Sequence, residues 1–187
     1  MLAAGSASRM GSIKQLLPYR GRTLIEHAIQ HASDAGFSPI VVVLGAKAEE
    51  IEPVVQKTSC QVVVNPDWAT GMGSSLKAGV KKLLELRPDA PGLAALLADQ
   101  PRISARQLIS MVQIFEEGRF PIVASEYDGS IGVPAIFGHE FFPNLLNLPA
   151  EAGARHLLRD AGPYLHRYSL PEAAIDVDTP HDYAELS

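Results

Sequence analysis

The chain is short of cysteine, of long apolar runs and of positive charge, and each shortage excludes something. Cys60 is the only cysteine in 187 residues, so neither an intrachain disulfide nor a cysteine-built zinc site can form. A reducing, cytoplasmic setting is expected. No apolar run approaches the roughly 20 residues that a membrane helix needs, and no membrane partner is expected. The N-terminal stretch MLAAGSASRMGSIK lacks the order of a secretory leader, because Arg9 and Lys14 follow its apolar part. The formal net charge is −5, which argues against broad nucleic-acid binding. Two glycine signatures are also missing. Neither GxxxxGK[ST] nor GxGxxG occurs, so this is neither a Walker phosphate loop nor a dinucleotide fingerprint.

What is present suits one domain spanning residues 1–187, with 47% hydrophobic residues and enough chain for a sizeable core. Apolar, β-branched runs alternate with amphipathic stretches, the pattern of a mostly parallel sheet covered by helices. Strands are expected at Leu2–Ala4, Ile40–Leu44, Val62–Asn65, Leu93–Ala98, Ile122–Ser125 and Val133–Phe137, with a weaker one at Leu165–Ser169. Thr23 with Glu26 and Ser104 with Gln107 read as capping boxes that open helices ending near Gly36 and Gly118. A third helix is expected from about Ser74 to Leu86, and a short one after Thr179-Pro180. Pro53 leaves the extent of any helix after Gly45 open. Asp128-Gly129 reads as a hairpin turn. The expected class is α/β: a three-layer α/β/α sandwich, Rossmann-like, with one antiparallel excursion in a mostly parallel sheet. Only Met1 and Leu2 precede Ala3-Ala4-Gly5, so a first strand here is unusually short. Either the fold tolerates this or the native chain begins upstream.

Charge is unevenly placed. Arg9, Lys14, Arg20 and Arg22 give the first 22 residues +4 with no acid, and the remainder carries −9. Within this basic stretch Gly5 and Gly11 can turn backbone amides toward an anion. Small Ser6, Ala7 and Ser8 let that backbone approach closely, and Arg9 and Lys14 supply charges that suit a triphosphate. Asp99 ends the apolar run LAALLA. In open α/β sheets ligands bind beyond the carboxyl ends of strands, which places this carboxylate well.

The segment LAAGSASRMGSIKQLLP resembles the signature of the MobA-like nucleotidyltransferases, LAAGxSxRMGxxKxLLP. Ala7 departs from it, standing where Ser or Gly is usual. Three further segments, NPDWATGMGSSLKAG, LLADQP and DVDTPHD, agree in order and spacing with the molybdenum cofactor cytidylyltransferase branch, so the likeness runs over essentially the whole chain. It implies a nucleotide-diphospho-sugar transferase-like fold and a Mg²⁺-dependent transfer of CMP from CTP, or another NTP, to molybdopterin or the molybdenum cofactor. It implies catalytic roles for Arg9, Lys14, Asp99 and Asp178, with Asp99 and Asp178 on the metal. Leu2, Ala3, Ala4, Gly5, Ser6, Asn65, Gly73 and Ser74 would line the nucleotide together with Arg9, Lys14 and Asp99. Gly71, Met72, Ser75, Gln100 and Pro101 would face the second substrate. Gly132-Val133-Pro134 and Gly153-Ala154-Arg155 are assigned loosely to the substrate pocket. Trp68 suits either stacking or loop anchoring, Asp176 reads as structural, and His27 and His31 as solvated.

Four other readings compete. They are guanylyl transfer to molybdopterin, nucleotidyl transfer to another small phosphate acceptor, a non-catalytic molybdenum cofactor carrier serving a molybdenum hydroxylase, and a dinucleotide-dependent oxidoreductase. The missing glycine fingerprint disfavours the last.

Overall fold

The computed structural model describes residues 1–7 and 9–186; Ser8, read above as part of the anion loop, lies outside the described residues. The main sheet begins with β1 (Leu2–Ala3), which pairs in parallel with β4 (Val41–Leu44), and β4 pairs in parallel with β5 (Gln61–Val64). On its other side Leu2 bridges in parallel to Leu97, just past β6 (Gly92–Ala95). Two backbone bonds seal that junction, Leu2 N–H to Leu96 O at 2.8 Å and Ala98 N–H to Leu2 O at 3.2 Å. Then come β8 (Ser130–Gly138), β7 (Ile122–Tyr127) and β9 (Leu165–Ser169). β8 runs antiparallel to both β6 and β7, whereas β7 and β9 are parallel. The sheet order is therefore β5-β4-β1-β6-β8-β7-β9 with one reversed strand. A small hairpin of β2 (Pro18–Tyr19) and β3 (Arg22–Thr23) stands apart. The expected α/β class with one antiparallel excursion is what the chain adopts. Its reversal comes at Asp128 and Gly129, both with positive φ (48° and 68°), as a tight hairpin turn requires.

Strand periodicity sorts the core into two layers. Ile122, Ala124, Ala135 and Phe137 face α3 (Met72–Leu86), α5 (Phe142–Leu146) and α6 (Ala154–Asp160), burying Leu76, Val80, Leu145 and Leu158. The intervening Val123 and Ile136 face the other way, onto α4 (Ala105–Glu116) and the end of α1 (Leu24–Asp34). Val42 and Leu44 meet α1 and α2 (Ala48–Val55) on that same side. The final α7 spans Pro180–Ala184. Among the described residues no helix is long and apolar enough to cross a membrane.

β6 is shorter than the run LAALLA suggests, because Leu96–Ala98 pair only with Leu2. Below Met1 the starts of β4 and β6 are unbridged, and an apolar cleft of about 570 Å³ opens between them, lined by Phe37, Ile40, Leu93 and Phe115 among others. It lies at the opposite end of the strands from Asp99.

The capping boxes expected at Thr23 and Ser104 both form, and Thr179 with Asp182 makes a third at the entry of α7. At the first, Glu26 N–H donates to Thr23 Oγ1 at 3.4 Å and Thr23 N–H to the Glu26 carboxylate at 2.8 Å. Thr23→Ala removes one half of this exchange at the entry of a helix whose Leu24 and Ile25 are fully buried. A loss of about 1 kcal/mol is expected, read from the shift of a urea unfolding midpoint.

Candidate active site

The site forms at the carboxyl ends of β1 and β6, where the N-terminal loop, the segment after β6 and the segment before α7 meet. Packing brings them together. Met10 is buried with Leu24, Val177 and Leu186 in one apolar cluster, so its neighbour Arg9 and Val177's neighbour Asp178 are brought side by side. Val177 N–H also donates to Asp99 O at 3.0 Å, which pins the Asp178 segment to the end of β6. Gln15, 2% exposed, donates its amide to Ala3 O at 3.2 Å and ties the loop back onto β1. Gly11 turns the loop at a φ of +70°, a conformation that favours glycine. Ala7 also sits in the left-handed region, at φ 51°, which gives a backbone reason for glycine to occur there in the signature.

The charged groups form a chain of alternating sign. Arg9 Nη2 lies 2.6 Å from Asp178 Oδ2, and Lys14 Nζ lies 2.8 Å from Asp178 Oδ1 while also donating to Asp99 Oδ2. Burial works to lower the Lys14 pKa, but the charge of Asp99 and the hydrogen bonds to Asp178 and Asp99 outweigh it, and the ammonium titrates above its ordinary value. Asp178 titrates below the usual carboxylate range, first through the Lys14 hydrogen bond and further through the charges of Lys14 and Arg9. The lysine is therefore charged and the carboxylate ionised at neutral pH. Asp176 stands beside them. Loss of hydration and then the charge of Asp99 push its carboxyl up to about 6, although the residue as a whole is exposed. Asp176 is expected from the sequence to be structural. The signal that could have found it is the Asp-Val-Asp alternation, which turns Val177 inward and leaves both acids toward the cleft.

A divalent cation fits this donor set. Asp99 Oδ1 is buried and has no hydrogen-bond donor, and a second carboxylate, Asp178, shares its lysine. Among the described residues no three His, Cys, Asp or Glu side chains are grouped as a metal cage.

The remaining expected residues divide by position. Gly5 and Ser6 are exposed on the rim, while Ala3 and Ala4 are buried beneath it and Leu2 is half-buried. Asn65, at the end of β5, is 4% exposed and donates its amide to Ser74 Oγ (2.9 Å) and Ser75 Oγ (3.0 Å). Ser74 Oγ in turn donates to Asp67 O or Gly71 O. Asn65, Ser74 and Ser75 thus brace the start of α3 against the loop before it. Met72 is exposed at the entry of α3. Gln100, 3% exposed, donates to Ala173 O at 2.9 Å and Val133 O at 3.4 Å, and Pro101 is buried beside it. Ser75, Gln100 and Pro101 are all buried. Trp68 packs against Gly45, where a Cβ would lie 2.5 Å from the tryptophan Cβ, so it anchors its loop. The rings of His27 and His31 lie 6.0 Å apart on α1, and His27 is hydrogen-bonded to Tyr19 O.

The comparisons with known proteins point to one family. The model of the MobA-like NTP transferase domain matches residues 1–167. Nicotine blue oxidoreductase of Paenarthrobacter nicotinovorans is 35% identical over 156 residues, covering 71% of this chain and 76% of its own. Molybdenum cofactor cytidylyltransferase of Escherichia coli K12 is 24% identical, covering 97% and 90%. The crystal structure of Rv0371c from Mycobacterium tuberculosis H37Rv superposes with a TM-score of 0.85 at 28% identity, covering 99% of this chain and 93% of that one. A structure of Rv0371c in complex with manganese also superposes, with a TM-score of 0.80, 28% identity and coverage of 99% and 94%.

Proposed function

The chain belongs to the family of MobA-like NTP transferase domains and is a nucleotidyltransferase; on that premise we propose that it moves CMP from CTP to the phosphate of molybdopterin, or of the molybdenum cofactor, with Mg²⁺ bound and pyrophosphate released. The observation that carries the reading is the ion chain Arg9–Asp178–Lys14–Asp99, set where the loop meets the strand ends. Likeness to the Escherichia coli cytidylyltransferase over 97% of the chain favours CTP and the pterin acceptor.

The acceptor phosphate is ionised near neutral pH and needs no strong general base. One of its oxygens bonds to the α-phosphorus, the bond to the β-phosphate bridging oxygen breaks, and pyrophosphate leaves with that electron pair. Both reactants are anionic, so repulsion is the obstacle and positioning with charge stabilisation is the protein's task. Lys14 and Arg9 turn from their carboxylates to the phosphate oxygens. Asp99 and Asp178, once those cations have turned away, would hold Mg²⁺. When bound, the ion supplies Lewis acidity to the phosphate oxygens. Gly5 and Ser6 present an exposed backbone rim to the triphosphate.

A second reading has one observation in its favour, the 35% identity to a protein named as an oxidoreductase. Calorimetry with CTP, GTP, ATP and UTP, with and without Mg²⁺, tests both. CTP preference that depends on Mg²⁺ is the expected result. GTP preference moves the protein to guanylyl transfer with the same residues. Binding of none of the four, together with binding of NADH or NADPH, overturns the nucleotidyltransferase reading. Delivery of the product to a molybdenum hydroxylase is compatible with catalysis, and co-precipitation with such an enzyme checks it.

A further inference from the structure

Past Asp99 the rim of the sheet continues over β8 and β7, and there one cation has no carboxylate. Arg155, the second residue of α6, is exposed and forms no ion pair among the described residues. Its Nη2 instead donates to the hydroxyl of Tyr127 at 3.4 Å. Tyr127 ends β7 at the hairpin turn and lies across β8 onto Gly132. A Cβ at Gly132 would collide with the tyrosine hydroxyl, so the missing side chain is what lets that ring lie flat and reach Arg155. The start of α6 is fixed independently. Ser74 N–H donates to Ala150 O at 3.2 Å, and Gly153 packs against the Met72 thioether. Arg155 is thereby held beside the entry of α3, on a helix that packs against β8, the strand that lies beyond β6 from β1.

The order of the sheet gives that position a chemical meaning, on the reading above. The loop carrying Arg9 and Lys14 stands over β1 and receives the leaving pyrophosphate, and Asp99 stands over the end of β6 at the α-phosphorus. In-line displacement brings the attacking oxygen from the face opposite the leaving group, which here is the β8–β7 side. An attacker that is itself a phosphate needs a cation there. We propose that Arg155 binds the phosphate of the acceptor, with Tyr127 as the positioning residue that orients its guanidinium. The planar guanidinium suits a phosphate because it can offer two parallel N–H groups.

The test has two arms. In the first, transfer from CTP to molybdopterin released from a molybdenum enzyme is followed as pyrophosphate formation. Arg155→Ala should raise the KM for molybdopterin at least tenfold and leave the Kd for CTP within twofold. Arg155→Lys should recover part of the loss, and Tyr127→Phe should raise the same KM by a few-fold with little change in kcat. An unchanged molybdopterin KM in Arg155→Ala, or a CTP Kd that weakens equally, overturns the proposal. In the second arm, inorganic phosphate is titrated by calorimetry into protein saturated with a non-hydrolysable CTP analogue and Mg²⁺. Phosphate binding lost in Arg155→Ala supports the site even if the wild type transfers nothing to molybdopterin, in which case the acceptor assignment alone fails. Phosphate binding that persists in Arg155→Ala overturns the proposal and leaves the reaction assigned above untouched.

Discussion

Lys14→Ala is expected to slow turnover by roughly 100-fold or more while tightening the protein's hold on a divalent cation offered alone. The two effects come from one side chain with two successive partners. Lys14 lies between Asp99 and Asp178, the ion-pair partner of the first and a partner of the second together with Arg9. Asp99 has a side chain only 16% exposed, so water replaces that cation poorly. Removing Lys14 leaves Asp99 unpaired and Asp178 with Arg9 alone, and the uncompensated charge then falls on the metal. During the reaction the same ammonium would meet charge developing on the α-phosphate and the departing pyrophosphate, where loss of one such contact costs on the order of 2.7 kcal/mol in the barrier. Manganese titration followed by electron paramagnetic resonance should give a lower Kd for Lys14→Ala than for wild type. The thermal midpoint should fall without metal and recover when manganese is added, because binding to the folded state alone stabilises it. Asp99→Asn is the mirror case, losing turnover and metal affinity together. If Lys14→Ala binds manganese no better than wild type, Lys14 does not guard the metal position. If its turnover stays within a few-fold, it does not serve the transition state either.

Much of this site was legible because its elements are specified locally. Thr23–Glu26, Ser104–Gln107 and Thr179–Asp182 each place a side-chain acceptor three residues before its donor, and such pairs need no distant partner to be recognised. Arg9 and Lys14 could be nominated together from the loop sequence, and Asp99 from its place after an apolar strand. Their meeting with Asp178 is a different matter. It depends on Met10 and Val177 sharing an apolar cluster, a contact between residues 167 positions apart, and only the family resemblance announced it. Two short helices, α5 and α6, escaped notice because five and seven residues are too few to establish a period. The hairpin of β2 and β3 escaped for the same reason. Pro53 lies within α2; the helix ends two residues later, so the proline limits it without preventing it. The role of Tyr127 over Gly132 was illegible for a further reason, since a glycine kept bare by a side chain five residues earlier in the chain has no signature of its own.

Gly73 and Gly5 were both assigned to the nucleotide by resemblance, and the structure predicts opposite outcomes for the same substitution at the two positions. A Cβ on Gly73 would overlap Pro149 O and Ala152 O and lie 2.9 Å from Ala150 O. All three are backbone atoms of the loop that leads into α6, so no side-chain rotation relieves the clash. Gly73→Ala must push that loop away from the entry of α3 and strain the Ser74 N–H bond to Ala150 O. Overpacking of this kind costs typically 1–3 kcal/mol, which for a chain of this length lowers the thermal midpoint by roughly 2–12 °C. Because the same loop sets Arg155, phosphate binding at that residue should weaken as well. Gly5 has nothing within 4 Å of its would-be Cβ and no positive φ. Gly5→Ala should therefore leave the midpoint within about 1–2 °C, since the change touches no packed surface. Any loss should appear in CTP affinity, because the new methyl projects from the exposed rim where the triphosphate backbone contacts are assigned. Differential scanning calorimetry of both variants, without nucleotide and then with CTP and Mg²⁺, separates the two causes. An undisturbed midpoint in Gly73→Ala would mean that the loop is not what keeps that position bare, and would return Gly73 to the nucleotide.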